Sequence, residues 1–225
     1  LLFQLERDWT CPPADFDPAH LDLTLLKPEV ESHLDLPAPW AVKDPRMMFM
    51  LKAWAHLGVE RARFVAVVRA PADTIRSIER RDGIREDWAD AIVDAHLSRL
   101  ADLAEAADVA VIEFSQDRDH VLAQAEQVAE SLGLGWNRSA AERFFDPKLV
   151  RNRAAQPEST PSLDRLRANA FPLDGTPLPA CELATLPAGR EPRPPLVEHV
   201  KRGNEDGKVN AAQALANLSS DTPDN

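Results

Sequence analysis

Three short apolar runs, each followed by a stretch of helical periodicity, organise the middle of the chain. Phe64-Val-Ala-Val-Val68 and Val109-Ala-Val-Ile-Glu-Phe114 have strand length and β-branched composition, and Trp40-Ala-Val-Lys43 is a shorter segment of the same kind. This pattern predicts strands over 40–43, 63–68 and 109–114. The run at 64–68 is continuously apolar rather than alternating, which predicts a strand buried on both faces. Between the strands the period lengthens. Met47, Met50, Leu51 and Trp54 mark a helix near 46–57, ended by Gly58. Pro71 at a first helical position and Gly83 just past the end bracket a second helix over 71–82. Trp88, Ile92, Ala95, Leu100 and Leu103 form the stripe of a long helix over 85–107, and a further helix spans 117–132 before Gly133. The order β-α-β-α-α-β-α predicts an α/β fold: a parallel sheet between helices on both faces, three layers in all.

The ends differ from this core. Cys11-Pro-Pro13 and Leu36-Pro-Ala-Pro39 are breaks. Pro18–Leu34 suits a helix capped by Asp17, but Pro28 argues against one unbroken helix. Residues 1–39 are therefore expected to be a helical segment of the same domain as a core spanning 40–153. After Phe145-Asp-Pro147 prolines recur at 157, 161, 172, 177, 179, 187, 192, 194 and 195. That density predicts a proline-rich linker or tail over 154–225, partly disordered, with short helices at 162–169 and 208–217. There is no internal repeat.

Composition narrows the classes. With 225 residues and 44% hydrophobic side chains the chain can bury one good-sized core. It has no apolar run long enough to cross a bilayer and no secretory leader pattern at its start. A formal net charge of −11 argues against a nucleic-acid partner. Within that acidic body, Arg61, Arg63, Arg69, Arg76, Arg80, Arg81 and Arg85 crowd one window, a local basic patch suited to a small multiply charged anion. Most of these arginines are expected on a solvated helix face, with Arg69 the exception. Cys11 and Cys181 are far apart and lack metal-ligand spacing; a reducing, cytoplasmic compartment is the simpler reading, with a disulfide as the alternative.

In open α/β sheets ligands gather beyond the carboxyl ends of the strands. Lys43, Arg69 and Ser115 each fall at or just past such an end. The stretch Arg69-Ala-Pro-Ala-Asp-Thr-Ile-Arg-Ser77 adds a serine two turns into the following helix. Guanidinium and hydroxyl groups there can converge on one phosphate through short, charge-assisted bonds.

Over roughly residues 36–150 the chain resembles the nucleotide-dependent sulfotransferases, especially bacterial members and the tyrosylprotein branch. The resemblance is carried by Lys43-Asp44-Pro45 after one strand and by Arg69…Ser77, eight residues apart, after the next, followed by Ile78-Glu-Arg-Arg81. It implies a P-loop NTPase-like sulfotransferase fold, here incomplete at its N-terminus. It implies 3′-phosphoadenosine 5′-phosphosulfate (PAPS) as co-substrate, no metal, and an unspecified hydroxyl or amine acceptor. Arg69 and Ser77 match the residues that hold the donor's 3′-phosphate. Lys43 matches the lysine that stabilises charge on the departing oxygen, and Arg46 is placed to contact donor or acceptor.

Each assignment has a plainer alternative. Ser77 can be a helix serine bonding back to a carbonyl, Lys43 a solvated lysine, and Arg46 a surface ion-pair partner. Asp44 can orient Lys43 or cap the next helix, the cap being preferred. Glu31, His33, His56 and His96 are candidates for the general base, and none stands out. Lys148 and Arg151, in the segment resembling the domain's close, are expected on the surface.

The chain departs from the family in one respect. No strand is followed by the glycine- and serine-bearing loop that cradles the 5′-phosphosulfate; Gly58, Gly83, Gly133 and Gly135 all sit at helix ends. With Leu1 in place of an initiator methionine, the expectation is a piece of a longer protein that lacks this loop and has little or no transferase activity alone. A non-catalytic scaffold or interaction domain with a degenerate sulfotransferase fold is the main alternative. A nucleotide-kinase-like phosphotransferase fits less well, because neither a Walker-type lysine nor a metal-holding aspartate is evident.

Overall fold

The computed structural model describes residues 18–20, 22–24, 27–145 and 159–186. Its elements are helices α1 (Lys27–Leu34), α2 (Met47–His56), α3 (Pro71–Asp82), α4 (Glu86–Ala106), α5 (Arg118–Ser131), α6 (Arg138–Phe144) and α7 (Pro161–Ala168), and strands β1 (Arg61–Ala62), β2 (Phe64–Arg69), β3 (Val109–Phe114) and β4 (Cys181–Glu182). The fold is mixed α/β. The helix expected over 18–34 is divided: a short 3-10 turn at Pro18–His20 stands apart from α1, which takes Pro28 in its first turn, where a missing N–H costs nothing. Asp17, and the helix expected at 208–217, lie outside the described residues.

Strands β2 and β3 form a parallel pair, with Phe64 opposite Val109 and Arg69 opposite Phe114. One face of this pair carries Ala66, Val68, Val109 and Val111. These pack against Ile78 of α3, against Trp88, Ile92, Val93 and Leu97 of α4, and against Leu163 and Leu166 of α7. On the opposite face Ala110 meets Val128 of α5 and Leu178. The stripe expected on α4 is wider than the spacing suggested: Ala89, Val93, Leu97, Ala101 and Ala104 are buried along with Trp88 and Ile92. Among the described residues, no helix is long and apolar enough to cross a membrane.

Three sequence expectations need correction. The first is the strand at 40–43, which is irregular backbone. Trp40 and Val42 instead pack on a satellite cluster of Val30, Leu51, Trp54, Val59 and Leu183, so their apolar character is spent on helix α2 and its neighbours rather than on a sheet. The second is burial of β2 on both faces. Ala66 and Val68 are buried, but Val65 is 40% and Val67 65% exposed. A continuous apolar run does not by itself say how much covers its second face.

The third correction concerns the proline-rich stretch. Residues 159–186 are not a loose tail. Thr160 caps α7, its hydroxyl accepting from Leu163 N–H at 3.2 Å, with Pro161 at the first helical position. Leu163, Leu166 and Leu178 are almost fully buried. Strand β4 then pairs antiparallel with β1, Cys181 opposite Ala62. The arginines before β2 hold this segment: Arg63 Nε donates to the Leu178 carbonyl at 2.7 Å and Arg61 Nη2 to that of Ala180 at 3.1 Å.

Candidate anion site at the end of strand β2

Arg69 is the last residue of β2, and Ala70 separates it from α3. Ala70 is extended (φ −48°, ψ 126°), as the residue before a proline must be, and Pro71 then fixes the first helical φ. The helix stops at Gly83, which takes the left-handed conformation (φ 66°) and donates its N–H to the Glu79 carbonyl at 2.9 Å. The fixed start sets which residues of α3 rise beside Arg69.

The side chain nearest to that purpose is Asp73, in the first turn. It is 7% exposed, and it receives two guanidinium groups: Arg76 Nη2 at 2.8 Å on Oδ1 and Arg69 Nη2 at 3.5 Å on Oδ2. Asp73 was not among the sequence candidates; it and Arg76 lie three apart on one face of α3, and the turn at Ala70 brings Arg69 to the same carboxylate from the strand end. Ser77 is half-buried, next to Arg76 and four residues beyond Asp73, so it shares that face. One turn earlier, the Thr74 hydroxyl bonds back along the helix, donating to the Ala70 carbonyl at 3.3 Å.

Lys43 is exposed and precedes a tight local turn. Asp44 Oδ1 accepts from the Arg46 N–H at 2.8 Å and from Arg46 Nε at 2.9 Å, and Oδ2 from Nη2 at 2.6 Å. Asp44 thus builds an Asx-type turn ahead of α2, which starts at Met47 with Arg46 at the cap position, so Asp44 shapes the approach to the helix and is not its cap. Arg46 lies in the turn as Asp44's partner. The bonds from Arg46 hold the Asp44 carboxyl below the usual carboxylate range, against the opposing effect of partial burial, and the Lys43 charge adds a smaller push in the same direction. Because residues 40–43 are not a strand, Lys43 does not mark a strand end; Arg69 and Ser115 do. Ser115 Oγ accepts from the Asp117 N–H at 3.2 Å, a turn that leads into α5.

The four candidates for a general base fall into ordinary roles. Glu31 faces Lys27 at 3.7 Å on the exposed side of α1. His33 lies against the rings of Trp40 and Trp54, at 5.6 and 6.1 Å. His56 is exposed at the end of α2. His96 sits inside α4 with its ring edge-on to Phe49 at 5.0 Å and Nδ1 2.8 Å from the Ile92 carbonyl; burial pushes its pKa down. Lys148 and Arg151 lie outside the described residues. Among the described residues, no group of three His, Cys, Asp or Glu side chains is arranged to hold a metal ion.

The other arginines of the basic window also have local partners. Arg81 forks onto Asp82 and Arg85 reaches Asp87, besides the carbonyl contacts of Arg61 and Arg63. What distinguishes the Arg69 group is that its shared carboxylate is buried. No family model, curated protein or solved structure matches the chain.

Proposed function

We propose that the chain carries the 3′-phosphate-binding part of a sulfuryl-donor site, in a domain of the sulfotransferase type built on a three-layer parallel sheet. The observation that carries this reading is the meeting of Arg69, at the carboxyl end of a parallel strand, with the first turns of a proline-started helix that bears Ser77. Strand end, guanidinium and helix start together favour a compact dianion. A 3′-phosphate is such a group, and it separates PAPS from ATP.

In the transfer itself, an acceptor hydroxyl or amine attacks sulfur while the bond from sulfur to the bridging phosphate oxygen breaks. Adenosine 3′,5′-bisphosphate leaves, and the acceptor's proton passes to a base. Lys43 is the residue assigned to steady the charge that develops on the bridging oxygen. Lys43 is exposed, and Asp44, held in its turn by Arg46, fixes the backbone from which it extends.

The testing experiment is a thermal-shift titration of the 225-residue chain with adenosine 3′,5′-bisphosphate. The wild type is stabilised and Arg69→Ala is not. Equal shifts in both proteins remove Arg69 from the site, and no shift in the wild type removes the donor. The second reading, a scaffold that binds partners without transferring sulfate, is favoured by the exposed apolar pair Val65 and Val67. It predicts no nucleotide response at all.

A further inference from the structure

We infer that Asp73 is a positioning residue, which holds Arg69 and Arg76 side by side so that two guanidinium groups and the Ser77 hydroxyl address one phosphate monoester. The inference rests on the donor reading above and refines it: the recognised group is a dianion, and Arg76 is part of what recognises it. Among the described residues, Asp73 is the one charged side chain that is buried. A carboxylate out of water needs charged partners on both oxygens, and Asp73 has them, Arg76 on Oδ1 and Arg69 on Oδ2.

The place of the cluster gives it its use. Asp73 gathers two guanidinium groups at the N-terminal end of α3, where the helix dipole is positive. Arg76 extends from the residue next to Ser77, with its side chain 44% exposed, whereas that of Arg69 is 26% exposed. The more buried arginine is fixed at the strand end, and the more exposed one reaches from the helix. Asp73 stands between them. Removing its charge takes away the contact that the two guanidinium groups share, and their relative placement must then be set again each time an anion binds. A singly charged ligand, or one without a phosphate at this position, gains little from the arrangement.

The test compares affinities for adenosine 3′,5′-bisphosphate and adenosine 5′-monophosphate by calorimetry, in the full chain and in Arg69→Ala, Asp73→Asn and Arg76→Gln. The ratio of the two affinities reports only on the 3′-phosphate. The expected wild-type ratio is about tenfold or more, falling to about one in Arg69→Ala. Asp73→Asn is expected to cut the ratio about fivefold or more with the monophosphate affinity unchanged, and Arg76→Gln to cut it severalfold. If Asp73→Asn lowers the melting temperature and leaves the ratio as it was, Asp73 is a structural ion-pair partner only and the inference is wrong. If Asp73→Asn does not fold, Arg76→Gln decides, because glutamine keeps an N–H donor for Asp73 Oδ1 at the more exposed of the two partners; an unchanged ratio overturns the paired-guanidinium arrangement. A wild type that binds neither nucleotide, or both equally, overturns the donor reading and takes the inference with it. A wild-type preference that Arg69→Ala removes and Asp73→Asn spares defeats the inference alone.

Discussion

Arg167 holds Glu113 in a two-point fork, Nε to Oε1 at 2.7 Å and Nη2 to Oε2 at 2.6 Å, and so ties helix α7 to strand β3 across 54 positions of sequence. Glu113 is fixed from the other side as well: its backbone N–H donates to the Gln124 side-chain oxygen at 3.0 Å, and its carbonyl accepts from Gln124 Nε2 at 3.3 Å. The fork keeps the Glu113 carboxyl below its ordinary range. Both side chains are about one-third exposed, so solvent screening limits the gain. Arg167→Ala is expected to cost about 1 kcal/mol, and less as salt rises. A double-mutant cycle with Glu113→Gln in urea should show that the two residues are coupled; additive effects would mean that the fork does not stabilise the fold.

Burial, more than charge, fixes α7 on the core. Leu166 is fully buried and meets the α4 face that also packs on the parallel strands. Leu166→Ala is expected to cost about 2–5 kcal/mol, the range for a leucine truncated in a packed core. Denaturant unfolding measures it, and a loss under 1 kcal/mol would show that 159–186 is a weakly attached segment after all.

This segment was the least legible part of the sequence, for a physical reason. Prolines at 161, 172, 177 and 179 suggest an extended, unpacked chain, yet each is compatible with a helix start or an ordered loop. The helix expected at 162–169 is present as α7, one residue early at each end; what two leucines three apart did not reveal is that they are buried against the core. Where punctuation and periodicity agree, the reading holds, as in α3 between Pro71 and Gly83 and in β2 and β3. Trp40–Lys43 failed because a strand of that length is made by its neighbour, and the described residues provide none. For the site, Arg69 was visible from its place after β2. Its partner Asp73 was not legible, because an acidic residue in the first turn of a helix is ordinary on dipole grounds alone.

Strand β2 offers a test confined to two adjacent residues. Val67 is 65% exposed and Val68 5%. Val67→Thr is expected to change stability by less than about 0.5 kcal/mol. Val68→Thr buries a hydroxyl beside Ile78 and Trp88 and should cost about 1–3 kcal/mol. Equal, large losses in chemical denaturation would mean that the Val65 and Val67 face is covered in solution.

Arg69→Lys separates charge from geometry in the proposed site. It keeps the cation and loses the planar fork that matches two phosphate oxygens. Affinity for adenosine 3′,5′-bisphosphate is expected to fall about tenfold, with the melting temperature of the unliganded protein little changed. Wild-type affinity in this variant, measured by calorimetry, would reduce the role of Arg69 to a nonspecific charge.

Acid should weaken the fold in two separate windows. The first belongs to His96. Its folded pKa lies below the ordinary 6.5 because burial disfavours the charged ring, only partly offset by the Ile92 carbonyl. As pH falls below about 6.5 the unfolded chain takes up a proton that the folded chain refuses, so stability drops until the folded pKa is reached. The steepest loss from one such group is about 1.4 kcal/mol per pH unit. The second window belongs to Asp44 and Glu113, whose carboxyls are held low chiefly by Arg46 and Arg167. Their contribution is complete above the ordinary carboxylate range of about 4 and disappears as pH falls through their folded values. Urea midpoints between pH 8 and 5 should therefore decline in the wild type and decline less in His96→Leu, which keeps an apolar side chain against Phe49. Below about pH 4 both proteins should lose stability together. An identical slope in the two proteins between pH 6.5 and 5 would show that His96 is hydrated in solution and free to take its proton in the folded state.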